Sequence, residues 1–188
     1  TSLPLASDIT GISLYKKLRD DERHLIVFTS KDIYVLNNKT FKFELRTRNY
    51  STGTVTTSGT GNRTVTLTGG TWLNSTWTQT NLYEISFDSI YPKNCTTWYL
   101  VHRLNSGTTL AISDTETVSA VSGSTYCLRL CYKGNTENEW YACYPYDPDN
   151  NETLILATNG IDKIQVWNSE GYFSDFAHYP DICRWIGF

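Results

Sequence analysis

The residue types that ordinarily carry chemistry are all present, but their spacing does not assemble them. Five cysteines occur: Cys95, Cys127, Cys131, Cys143 and Cys183. An odd number cannot complete a disulfide framework, and no Cys-x-x-Cys pair supplies a metal or redox motif. Cys127 and Cys131 are four apart in Tyr126-Cys-Leu-Arg-Leu-Cys-Tyr132. On a strand they share a face but stand about 13 Å apart, too far to bond each other. The histidines His24, His102 and His178 are widely separated. Reduced, buried or half-buried thiols are therefore expected, with one structural disulfide or a metal site as alternatives. No serine sits in a Gly-x-Ser-x-Gly elbow, and no cysteine has a histidine beside it in sequence. Asp20-Asp-Glu22 and Asp147-Pro-Asp149 are acidic groups that could take calcium or act as acid and base. Neither has the spaced oxygen ligands of an EF-hand loop, and solvated loop acids are the plainer expectation. Glycosidase chemistry needs two positioned carboxylates, and nothing in the sequence selects a pair. Gly59-Thr-Gly-Asn62 and Gly69-Gly70 precede neither a helix nor a lysine, so no phosphate cradle is expected.

Aromatic residues offer a different chemistry, stacking on sugars. Of the six tryptophans, Trp72, Trp77 and Trp98 lie in a Thr-rich middle segment. Trp72 and Trp77, set among Asn, Ser and Thr, are the better candidates for exposure. Trp140, Trp167 and Trp185 lie among strand signals and are expected in a core. The chain is thus expected to be non-enzymatic, with no catalytic residue, cofactor or metal.

Strands must position these residues. Thr, Ser, Asn, Tyr and Trp are abundant and Met is absent, a composition that favours pleated sheet and turns. Only Leu14–Arg23, short and charged, offers a helical candidate. Residues 1–50 are expected to form a first blade-like β-meander, from Leu25–Thr29, Asp32–Leu36 and Phe41–Leu45. Residues 51–120 place Thr at alternate positions around Val55, Val65 and Leu67, then continue through strand signals at 82–87, 97–102 and 108–112. Five short strands with tight turns predict a small inserted β-barrel. Residues 121–188 predict a second blade-like sheet continuing beyond this chain, because Cys183–Phe188 begins another strand signal. The start at Thr1 lacks both Met and a signal-peptide pattern, so the chain is expected to begin within a longer protein or after processing.

An internal repeat supports this division. Leu25-Ile-Val-Phe-Thr29, Asp32-Ile-Tyr-Val-Leu-Asn37 and Phe41 match Leu154-Ile-Leu-Ala-Thr158, Lys163-Ile-Gln-Val-Trp-Asn168 and Phe173. With the middle segment removed, the period is near that of a propeller blade. The fold expected is all-β: propeller-like antiparallel blades interrupted by a small β-barrel or sandwich module.

Net charge is −3 with scattered Lys and Arg, which argues against a nucleic-acid groove. No apolar run reaches the ~20 residues of a helical membrane span. Six Asn-x-Ser/Thr sequons begin at Asn38, Asn49, Asn62, Asn74, Asn94 and Asn151, which keep a secreted glycoprotein as an alternative.

Thr158-Asn-Gly-Ile-Asp-Lys-Ile-Gln-Val-Trp-Asn168 is similar to a phrase of virion proteins of tailed bacteriophages, where it forms two strands of a propeller-like blade. Those proteins also carry a hairpin like Leu25–Asn38 upstream. They often hold an insertion like Gly53–Thr57, Thr64–Thr66, Trp98–Val101 and Thr108–Ile112, which resembles a small barrel common in tail and adsorption components. The resemblance spans most of residues 24–188. It implies a structural subunit of the tail or head–tail assembly, of nozzle or tail-tube-associated type, working in the virion as a ring. The implied partners are identical subunits and neighbouring virion proteins. Five cysteines and the 145–152 loop depart from the family pattern. A carbohydrate-binding or host-adhesion module, touching a host surface glycan, is the alternative carried by the tryptophans.

Overall fold

The computed structural model describes residues 8–17, 22–72, 83–87, 95, 97–177, 182–184 and 186. Over these residues the chain is all-β, with four antiparallel sheets, no α-helix and one 3-10 turn at Thr60–Asn62. It divides into two compact units. The first joins Thr1–Arg48 to Tyr132–Phe188, and the second is Asn49–Cys131.

The first unit contains two four-stranded sheets. One runs in the order β1 (Ile9–Lys16), β2 (Arg23–Thr29), β3 (Ile33–Asn37), β4 (Lys42–Leu45). The meander expected from the sequence is β2–β4. The helical candidate Leu14–Arg23 is corrected: its described N-terminal part belongs to β1, which pairs with β2 through Leu14↔Leu25, Tyr15↔His24 and Lys16↔Arg23. Alternation decides the outcome, since Ile12, Leu14 and Lys16 are exposed while Gly11 and Ser13 are half-buried and Tyr15 is buried. The other sheet runs β12 (Tyr141–Cys143), β15 (Ile155–Thr158), β16 (Gln165–Trp167), β17 (Ser174–Asp175). A two-stranded ribbon, β13 (Tyr146–Asp147) and β14 (Glu152–Thr153), carries the loop between β12 and β15.

Aromatic side chains fill the core between these two sheets. Phe28 of β2 stacks on Trp140 with ring centroids 5.2 Å apart and meets Phe173 edge-on at 6.2 Å. Phe173 in turn stacks on Trp167 at 5.3 Å. Burying each such ring is worth about 2–3 kcal/mol, and the offset and edge geometries add to that. The indole N–H of Trp140 donates to the Thr29 carbonyl at 3.1 Å, so its polar atom is not stranded. Gly11 permits the approach of β1: a Cβ there would lie 2.9 Å from Cβ of Trp140.

The repeated hairpins are β2–β3 and β15–β16, and their turns share one device. The buried hydroxyls of Thr29 and Thr158 accept the amide N–H two residues on, from Lys31 at 3.3 Å and Gly160 at 3.1 Å. The second strands differ by one residue in register. Phe28 pairs with Ile33 and Ile26 with Val35, which puts Ile33 and Val35 on the aromatic-core face. Ala157 pairs with Gln165 and Leu156 with Val166, so Ile164 and Val166 point the other way, into a cluster with Cys143 and Leu156. A one-residue slip exchanges the faces of a strand. The aromatic equivalence also shifts: Phe173 is buried, whereas Phe41 is 67% exposed. Phe43, opposite Leu36, occupies the matching ladder position.

The second unit is a seven-stranded sheet: β5 (Asn49–Tyr50), β11 (Cys127–Leu130), β8 (Tyr83–Ser86), β9 (Tyr99–Leu104), β10 (Thr109–Ile112), β7 (Thr64–Thr68) and β6 (Thr54–Ser58). It extends past 120 because β11 pairs with both β5 and β8. The Thr alternation behaves as expected. Val55, Val65 and Leu67 are buried, while Thr56, Ser58, Thr66 and Thr68 face solvent. In strand order the sheet ends at β5 and β6, and no closed barrel or propeller ring is formed among the described residues. Val55 and Ser124 exchange backbone hydrogen bonds at 2.9 and 3.0 Å, and the amide of Thr57 donates to Val121 at 3.0 Å. The segment leading into β11 thus lies along β6. Gly53 (φ +87°) makes the turn into β6, where a Cβ would sit 2.3 Å from the Thr68 carbonyl oxygen.

Candidate functional site

One group of polar side chains in the first unit lies where the aromatic core meets solvent. His24 on β2 stacks on Tyr15 at 5.8 Å and meets Trp167 edge-on at 5.4 Å. Its Nε2 is 3.4 Å from the Glu22 carboxylate. Across β3 and β4, Glu44 accepts from Asn37 Nδ2 at 2.5 Å and from the Arg46 guanidinium at 2.6 Å. Glu22, His24, Asn37, Glu44, Arg46 and Trp167 line a cleft of about 200 Å³. A His–carboxylate pair can hold or pass a proton. Among the described residues, no hydroxyl or thiol is hydrogen-bonded to His24. Glu44 is already committed to Asn37 and Arg46. The cluster, with the Arg46–Glu44 ion pair beside it, lies at the end of the aromatic core. Its sequence signal was Glu22-x-His24, two residues apart and so on one side of an extended chain.

A second, wider cleft of about 520 Å³ is lined by Glu137, Asn138, Glu139, Tyr141, Asn159 and Arg184, among others. The Tyr141 hydroxyl donates to Glu139 at 2.7 Å, and that bond raises the phenol above its usual range. Behind it, Asp162 accepts from the amides of Lys133 and Gly134 and from Asn159 Nδ2. These bonds shape the loops.

The tryptophans singled out by sequence behave differently from one another. Trp72 is fully buried in the second unit, and its indole N–H donates to Tyr126 at 3.0 Å. Its expected exposure is therefore corrected: packing on Tyr126 (centroids 5.9 Å, nearly perpendicular) absorbs both the ring and its polar atom. Trp98 is half-buried, with the Arg129 guanidinium 3.8 Å from its ring centroid and its N–H donated to Cys95 at 3.1 Å. One face of the ring is thus occupied by a cation. Trp77 lies outside the described residues, as do Trp185 and His178. Trp140 and Trp167 are core residues.

Asp147 caps its own loop, accepting from Asp149 N at 3.0 Å and from Asn150 Nδ2 at 2.8 Å. The bond from the Asn150 side chain leads in holding its carboxyl below the usual range. Asp20 and Asp21 lie outside the described residues. Among those described, no three His, Cys, Asp or Glu side chains converge as a metal site, and every cysteine is a free thiol. No described helix is long and apolar enough to cross a membrane. Comparison with family models, with curated proteins and with solved structures gave no match to this chain.

Proposed function

We propose that this protein is a non-enzymatic structural component of a phage virion, in the tail or head–tail assembly, acting through contacts between identical copies in a ring and with neighbouring virion proteins. Its first unit is read as two propeller-like blades, and its second as a barrel-like module inserted between them. The observation that carries the reading is the outer face of the β1–β4 sheet. Leu14↔Leu25 and Leu36↔Phe43 are cross-strand pairs, and the β2–β3 register sets Leu25 beside Leu36. An apolar row therefore crosses all four strands. None of its members is fully buried, and Leu14 is 62% exposed with Ile12 beside it at 64%. The opposite face of this sheet is buried in the aromatic core. Farther along the outer face Val27 and Tyr34 are buried, so the opening is confined to the end of the sheet that carries the row. An apolar patch left open to water there supports association rather than a solitary life. The order hairpin, insert, hairpin supports the resemblance to phage virion proteins.

The test is the native mass of the full-length chain, with particle imaging of the species found. Rings or larger oligomers are expected, and L14E with F43E should convert them to monomers that keep the far-ultraviolet β signature. A monomer at all concentrations, alone and with virion extract, would refute the proposal. Binding of that monomer to a glycan array would favour the adhesion alternative, and attached sugars at Asn38 or Asn151 the secreted one.

A further inference from the structure

Independently of that reading, we propose that Cys143 and Cys183 are a disulfide-forming pair that locks the C-terminal segment onto the outer face of the β12–β17 sheet. On this face Cys143 of β12 stands opposite Leu156 of β15. Cys143, Leu156 and Ile164 form a buried apolar cluster, against which Cys183, Phe176 and Ile186 pack. The segment bearing Cys183 is held at two further points. Its carbonyl accepts the hydroxyl of Thr158, two residues along β15 from Leu156 and on the same side of the strand. Beside it, the Gly160 turn packs against Arg184, whose Cα would be in van der Waals contact, at 3.4 Å, with a Cβ placed on Gly160. Cys183 is half-buried and Cys143 buried, an asymmetry that suits a two-step exchange. The other three thiols belong to the second unit.

The oxidant is a small-molecule disulfide such as oxidised glutathione. The Cys183 thiolate attacks one of its sulfurs, forming a mixed disulfide and expelling one glutathione thiolate, which is protonated. The Cys143 thiolate then attacks the Cys183 sulfur, and the second glutathione leaves as thiolate. Two protein thiols become one disulfide, and one glutathione disulfide becomes two glutathione thiols. Burial, with the Cys183 sulfur nearby, raises the Cys143 thiol above its ordinary range. The second step should therefore accelerate as pH rises.

The experiment uses the full chain, purified with reductant, desalted, exposed to oxidised glutathione, quenched with acid and mapped without reduction. A linked peptide pair containing Cys143 and Cys183, lighter by two hydrogens and free of glutathione, is expected. C143S should stop at the mixed disulfide, retaining glutathione on Cys183. Should C143S fail to fold, the wild type decides alone. Its oxidised form should melt several degrees higher than the same sample after reductant, because the link closes a loop of about 40 residues in the unfolded chain. Retention of glutathione by the wild type, alkylation of both thiols after oxidation, or a link to Cys95, Cys127 or Cys131 would each overturn the proposal.

Discussion

Tyr15 shows how much one hydroxyl can be asked to do. It is buried against His24 and Trp167, and its phenol donates to the Thr153 carbonyl. Burial, reinforced by the charges of Glu152 and Glu22, pushes its ionisation up from 10.0 to about 12. In the unfolded chain the phenol loses its proton near its ordinary value, while the folded protein retains it. The contribution of Tyr15 is therefore fully present below pH 10 and lost as pH rises from 10 towards about 12. Y15F should lower stability by about 1–2 kcal/mol at neutral pH, since the Thr153 carbonyl loses its donor. It should also flatten the alkaline limb of the unfolding profile. Denaturant titrations across that pH range, read by fluorescence, check both effects. An unchanged alkaline limb in Y15F would assign the pH dependence elsewhere. The sequence did not disclose this role, because Tyr15 sits beside a charged stretch and its hydrogen-bond acceptor, Thr153, is 138 residues away.

At the scale of strands, much was legible. Leu25–Thr29, Asp32–Leu36 and the alternating Thr runs became β2, β3, β6 and β7 because period-two patterning and turn residues agreed there. β1 was not legible: its neighbouring Lys, Arg, Asp and Glu residues imitate a solvated helix, and only pairing with β2 fixes it as a strand. The repeat disclosed two hairpins but not their one-residue slip, since Ile-x-Val suits either face. Trp72 was misplaced by its polar neighbours, which say nothing of a partner such as Tyr126 far along the chain. Pairing of β8 with β11 also sets Glu84 opposite Arg129. The guanidinium donates to one carboxylate oxygen at 3.1 and 2.8 Å, with the Arg129 side chain only 6% exposed. E84Q removes the compensating charge and should cost about 3 kcal/mol, whereas the paired change E84Q with R129M should recover part of that loss. A double-mutant cycle by urea denaturation measures the coupling, expected at about 1–3 kcal/mol. Strict additivity would show the two charges to be independent.

For the molecule as a whole, the division into units has consequences for folding. The first unit is assembled from both ends of the sequence: Tyr15 and Thr153, joined by a hydrogen bond, are 138 residues apart. The second unit is continuous, and its contacts close shorter loops, so it is expected to form first. Hydrogen-exchange pulse labelling during refolding should protect β6–β10 before β2 and β15. The reverse order would indicate that the aromatic core nucleates folding.

The same arrangement bears on how such a protein can change over evolutionary time. The insert begins on β5 and ends on β11, and these strands are hydrogen-bonded neighbours with Asn49 opposite Arg129. Its point of departure and its point of return are thus about one strand spacing apart. A lineage could exchange the whole cassette, or shed it for a tight turn, while leaving the flanking sheets to an unaltered frame.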